Sequence, residues 1–190
     1  MINTLKNIIL LFLFIILITV FTACPTPQQY PIIPEITFKQ VILSDSVDLL
    51  GNNIKIFKLR FGIIDGDGDI GVQQESDTTG IFDPDSIWHY NNLFTTLYEF
   101  IDGEKIEVDE DKQRDFLVPY VVPQGQNKTL IADIFVDIDF TYNSSGELPY
   151  DSVQYDFYIV DRSLHISNTE ETTIIKLDTI GVFPPIIDEN

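Results

Sequence analysis

Apolar and polar residues alternate with a period of two along three stretches of this chain, the period of a strand with one buried face. Across residues 130–140 the even positions Leu130, Ala132, Ile134, Val136, Ile138 and Phe140 are apolar. Asp133, Asp137 and Asp139 point the other way, while Ile131 and Phe135 blur that outer face. Across residues 153–159, Val153, Tyr155, Phe157 and Ile159 alternate with Gln154, Asp156 and Tyr158. Across residues 55–63, Phe57, Leu59, Phe61 and Ile63 oppose Lys58, Arg60 and Gly62. Shorter strands are predicted at residues 36–43, 93–101, 104–108, 116–122 and 172–177. Asp102-Gly103 between two apolar runs is the signal for a two-residue hairpin. Pro119 and Pro123 confine their segment to an edge or bulged strand, because proline has no N–H for a ladder. No amphipathic helix is predicted after residue 24, and no internal repeat is present. The pattern therefore predicts an all-β fold, an antiparallel β-sandwich of two sheets. A closed barrel is the alternative, and uneven strand lengths weigh against it.

The N-terminal segment has a different pattern. Lys6 precedes an unbroken apolar stretch from residue 8 to residue 21, followed by Thr22, Ala23 and Cys24. The stretch has the length of a secretory core and is shorter than the ~20 residues a spanning helix needs. Small residues before a cysteine suit a lipoprotein signal peptidase, whose substrate carries a bulky diacylglycerol thioether beside the scissile bond. Residues 1–23 are thus expected to be a cleaved signal peptide and Cys24 a lipidated residue; a simple N-terminal membrane anchor is the competing reading. Cys24 is the single cysteine, so intrachain disulfides and thiolate clusters are excluded. Residues 24–34 are proline-rich and uncharged, an extended tether. The predicted sandwich occupies 35–182, and residues 183–190 form a tail.

The formal charge is −19, and removal of residues 1–23 takes away only Lys6, leaving −20. A surface that acidic argues against nucleic acid and against anionic lipid headgroups as direct partners. It suits divalent cations. Asp65, Asp67 and Asp69 alternate with Gly66 and Gly68; glycine allows a tight enough path for carboxylates to converge, and carboxylate oxygens are what Ca²⁺ takes. The spacing is similar to the start of an EF-hand loop, with Ile70 where that loop has glycine and Ser76 where it has glutamate. Any site is therefore completed from elsewhere, with Asp83, Asp85, Asp161 and Asn168 as candidates and an affinity of roughly 10⁻⁴–10⁻³ M. The bland alternative is a solvated turn. Glu107, Asp109, Glu110 and Asp111 sit beside Lys112 and Arg114 and read as a solvated loop.

The segment from Phe61 through Asp65-Gly-Asp67-Gly-Asp69 to Gly71 resembles the strand and acidic loop of cadherin-like and immunoglobulin-like bacterial domains. Residues 153–178, with Asp161 after a strand and Ser167-Asn168 after a turn, are similar to the closing hairpin of such domains. With the lipobox, in which Phe21 stands where leucine is usual, the chain resembles Bacteroidetes lipoproteins of this architecture. The resemblance implies an immunoglobulin-like fold and an envelope location, and no activity. It also implies O-glycan acceptors where Asp precedes Ser or Thr and then an aliphatic residue or Thr: Ser46, Thr78, Ser86, Ser152 and Thr179. Chance in an Asp-rich chain gives on the order of one such match.

Trp88 and Tyr90 lie in a long connection, where aromatic side chains either stack on sugar rings or cap the core. His89 and His165 are the only histidines, no Gly-x-Ser-x-Gly occurs and no glycine loop opens a helix. The expectation is a non-catalytic, lipid-anchored binding or scaffolding module with a calcium loop. The alternatives are a carbohydrate-binding lipoprotein using Trp88 and Tyr90, and an envelope hydrolase. Partners are the membrane, through Cys24, and an envelope protein or glycan. Pro25, and the lack of acidic residues just after Cys24, imply an outer-membrane anchor facing the periplasm.

Overall fold

The structure, a computed structural model, describes residues 5–7, 10, 12, 29–71, 91–120 and 128–184. Cys24, Thr78, Asp83, Asp85, Ser86, Trp88, His89, Tyr90 and Pro123 lie outside the described residues. Among the described residues no helix is long and apolar enough to cross a membrane.

In chain order the strands are β1 Glu35–Val47, β2 Asn53–Asp65, β3 Leu93–Ile101, β4 Glu104–Glu107, β5 Leu130–Thr141, β6 Ser152–Ile159, β7 Glu170–Glu171, β8 Ile175–Lys176 and β9 Gly181–Phe183. One sheet has the order β5-β2-β1-β9; the other has β4-β3-β6-β7, with β8 also on β6. Every pairing is antiparallel. The molecule is the expected all-β sandwich.

Its core forms where the two apolar faces meet. Phe57, Leu59, Phe61 and Ile63 of β2 are buried, as are Val153, Tyr155, Phe157 and Ile159 of β6. Phe57 stands edge-on to Tyr155 at 5.2 Å between ring centroids, and Phe61 meets Phe157 at 5.2 Å. Such pairs add about 0.5–1.5 kcal/mol to the burial of the rings themselves. On the outer face of β5, Asp133 pairs with Lys39 and Arg60, which hold its carboxyl below the usual carboxylate range. Ile131 and Phe135 are exposed there, as their outward phase requires.

β1 shows why a strict alternation can miss part of a strand. Its register slips between Phe38 and Gln40, a bulge that leaves Lys39 extra. Ile36 and Phe38 are buried before it and Val41 and Leu43 after it, so the inward set moves from even to odd numbers. The β3–β4 hairpin turns through Asp102 (φ 52°) and Gly103 (φ 87°), the two left-handed residues of a type I′ turn.

Two predicted strands are corrected. Within residues 116–122 the described part makes one bridge with β3, Leu93 to Phe116. Beyond it the Asn92 side chain takes over the ladder's work, accepting from Val118 N at 2.7 Å. Pro119 makes a single bridge and, with no N–H to donate, extends no ladder. Residues 172–177 keep only β8, with β7 lying just before them: between the two, Thr172 Oγ1 accepts from Tyr155 N–H at 3.0 Å and interrupts the backbone pairing.

Replacing Phe57 by alanine removes the ring that touches both Tyr155 and Phe140. The expected loss is about 3–5 kcal/mol of unfolding free energy, read from the urea midpoint. A loss below about 1 kcal/mol would mean that the inter-sheet contact is not as described.

Candidate metal centre

The site begins with register. Counting along β2, Phe57, Leu59, Phe61 and Ile63 face the core, and the next residue in that phase is Asp65. Its carboxylate is consequently carried inside, and the residue is 0% exposed. A carboxylate there requires compensation, since burying an unpaired charge is costly. Part of it is local: Asp69 N–H donates to Asp65 Oδ2 at 2.9 Å, folding the loop back on itself. The fold brings Asp67 and Asp69 to the same point, so that one oxygen from each of the three carboxylates lies within 4.8 Å of the others. Oδ1 of Asp65, of Asp67 and of Asp69 is buried and accepts no hydrogen bond from any described residue.

Two further segments hold the loop. On one side, Gly66 N–H donates to the Pro31 carbonyl at 2.8 Å and Thr129 Oγ1 donates to the Gly66 carbonyl at 3.2 Å. On the other side is the turn after β6. Ser163 Oγ donates to Asp69 Oδ2 at 2.7 Å, and Arg162 N–H donates to the Asp69 carbonyl at 3.2 Å. The loop belongs to the first sheet and the turn to the second, so the three carboxylates stand across the seam of the sandwich.

Asp161 anchors that turn from beneath. Its Oδ1 accepts from His165 N–H at 2.7 Å and its Oδ2 meets His165 Nδ1 at 2.8 Å. Both oxygens are thereby engaged, and Asp161 supports the site through Ser163 instead of joining the three aspartates. Burial raises its pKa in spite of those bonds. The His165 imidazole is raised in turn, first by its bond to Asp161, with Asp67 and Asp69 contributing. Asn168 is engaged elsewhere as well: Oδ1 accepts from Ile36 N–H at 2.8 Å, and Nδ2 donates to the Ile36 carbonyl at 2.9 Å. Glu170 Oε2 accepts from Phe38 N–H at 2.9 Å. These two side chains stand in for a neighbouring strand along the start of β1, where β9 does not reach.

Of the residues proposed as metal ligands, the structure gathers Asp65, Asp67 and Asp69; Asp83 and Asp85 lie outside the described residues. Ser163, Thr129 and Pro31 escape a sequence reading because their contacts to the loop span many residues with no periodic signal. Asp65 did carry a signal, namely the odd-number phase of β2. The described acceptor candidates Ser46, Ser152 and Thr179 fall at the opposite end, on the last residues of β1, the start of β6 and the approach to β9. All three are half-buried. Lys55, itself buried, joins two of these segments by pairing with Asp45 and donating to the Thr179 carbonyl at 3.2 Å.

The donor set is all oxygen and triply acidic, without imidazole or thiolate among the three, which matches a hard divalent cation. The buried, unpartnered oxygens fit such an ion: each has a lone pair directed into protein and nothing described to meet it. No protein-family model matches the chain, and no curated protein or solved structure matches it either.

Burial first, then the neighbouring Asp67 and Asp69, push the Asp65 carboxyl up from 3.8 to about 7. Between those values the folded, chelator-treated protein binds more protons than the unfolded chain. The Asp65 contribution to stability is therefore fully present below about pH 4 and is lost as pH rises through about 7. The expected result is that Asp65→Asn, compared with the parent in EGTA, gains relative stability from pH 4 to pH 7 in urea titrations. A difference that stays flat across that window would contradict the buried carboxyl.

Proposed function

We propose that this chain is a lipid-anchored, non-catalytic module of a bacterial cell envelope, a binding or scaffolding β-sandwich stiffened at one end by bound calcium. The observation that carries the reading is the trio of buried carboxylate oxygens without hydrogen-bond partners. Three carboxylates in five residues repel one another, and a dication neutralises most of that charge while accepting the unused lone pairs. The site lies across the sheet seam, so the ion ties the β2 loop to the turn after β6 and raises the stability of the whole sandwich.

Support for the non-catalytic reading is that the polar groups around the cluster are engaged in holding its backbone and side chains. Asp161 shapes a turn, Ser163 and Thr129 brace the loop, and Asn168 and Glu170 edge β1. The anchor rests on the apolar stretch of residues 8–21 ending at Cys24, and the outer-membrane, periplasm-facing placement on the uncharged residues after it. The likeness to immunoglobulin-like Bacteroidetes lipoproteins rests on the sequence of residues 61–71 and 153–178 and on the lipobox; the all-β sandwich is compatible with it. Its partner is then another envelope protein or a glycan.

Calcium titrated calorimetrically into chelator-treated protein is expected to bind saturably and to raise the melting temperature. At a hundredfold excess over Kd the gain is about 2.7 kcal/mol. Both effects should vanish in the double variant Asp67→Asn/Asp69→Asn. If the parent shows neither heat nor a melting shift, the calcium reading is wrong. For the anchor, labelled palmitate fed to an expressing bacterium should enter the protein and be absent from Cys24→Ser; label retained in that variant would place the lipid elsewhere.

A further inference from the structure

Residues 29–34 lead into β1 and cross the acidic loop on their way. The crossing point is Gly66, the residue between Asp65 and Asp67. Its N–H donates to the Pro31 carbonyl at 2.8 Å. A Cβ at Gly66 would lie 2.5 Å from the Tyr30 carbonyl oxygen and 2.6 Å from that of Pro31, so only glycine lets the two backbones come this close. Beyond the crossing, Ile32 and Ile33 stand exposed, and Pro34 is buried where the segment meets the body. Between Tyr30 and Pro34 the segment is thus held by a contact that shares its peptide units with two of the three carboxylates.

We propose that the cation site is a clasp on the chain's own N-terminal strap, an inference that rests on the calcium reading above. A cation drawing Asp65, Asp67 and Asp69 together fixes the loop in the shape that presents Gly66 N–H to Pro31. When the cation leaves, the carboxylates repel, the loop widens and Gly66 withdraws, so that residues 29–34 come off the body. Released, those six residues add up to roughly 20 Å of free chain at about 3.3 Å each, lengthening the reach between the sandwich and whatever holds the N-terminal segment. Because linkage is reciprocal, a seated strap also tightens the cation site. Gly66→Ala, which drives a methyl into Tyr30 and Pro31, should weaken calcium by a factor of roughly 5–150.

The test uses the full chain carrying Cys24→Ser, so that Ile32→Cys offers the one thiol for a nitroxide. Electron paramagnetic resonance of the label is followed through a calcium titration, with calorimetry on the same sample and a second chain labelled at Leu49→Cys, an exposed position at the far end. The expected result is a slow label at residue 32 in saturating calcium and one several-fold faster in EGTA. The midpoint should match the calorimetric one, and the label at residue 49 should not change. In Gly66→Ala the label at residue 32 should be fast in both conditions. Calcium heat without a change at residue 32 would overturn the clasp and leave the cation site standing. Equal changes at residues 32 and 49 would overturn it in favour of general stiffening, and absence of calcium heat would overturn both readings.

Discussion

The contact on which the rest of this molecule depends is the meeting of β2 with β6 across the sandwich, Phe57 on Tyr155 and Phe61 on Phe157. β2 is paired along its length on both sides, to β1 and to β5, so its register sets the register of the sheet. The aromatic contacts decide which of its faces is inside. Once Phe57 and Phe61 face β6, alternation leaves no freedom for Asp65, two residues past Ile63: it must face inward too. The acidic cluster is therefore not a loop decoration placed on a finished fold. It is the continuation of the core by a residue that cannot be left unaccompanied there, and Asp67, Asp69, Ser163 and the Asp69 backbone are the company the fold provides.

Much of this was legible in the residue pattern. The long strands β2, β5 and β6 announce themselves because each buries one face against the other sheet and wets the other, and Asp102-Gly103 marks its hairpin because two consecutive left-handed residues need such a pair. What was hidden had non-local causes. The slip at Lys39 changes the phase of β1 in mid-strand, an effect of pairing with β2 and not of β1's own composition. Residues 116–120 look like a strand, but Asn92, more than twenty residues away, supplies the hydrogen bonds a ladder would have made. Asp161 and Asn168 have the chemistry of ligands, and only three-dimensional placement reveals that His165 and Ile36 already occupy them. The trio Asp65, Asp67 and Asp69 was readable because its spacing is local, and the depth of Asp65 was readable from phase alone.

The sandwich has two unlike ends. At one, the acidic loop, the turn after β6 and the incoming strap meet. At the other, the β1–β2 connection is fixed by Asp48, whose carboxylate accepts from Leu50 N–H and Asn52 N–H at 2.8 Å each and from the Asn52 side chain at 2.8 Å. Those bonds lower the Asp48 pKa and present Leu49 and Leu50 to solvent almost without cover. Ser46, Ser152 and Thr179 lie at this second end, so chemistry added to their hydroxyls would leave the carboxylates at the first end undisturbed.

The long pairing of β1 with β2 also has a mechanical meaning. β1 begins beside the loop end, where Glu35 sits opposite Ile64, and runs the full height of the sheet to Val47 opposite Asn53. A pull on the strap, resisted by something grasping the far end, acts along the axis of β1 and tries to slide it out lengthwise. Every rung to β2 then carries the load at once, together with the three β9 pairs at Val41, Ile42 and Leu43 and the side-chain bonds from Asn168 and Glu170. The same strand peeled sideways would yield one rung at a time. The chain is thus built to be strongest in tension along the line that joins its strap to its opposite tip.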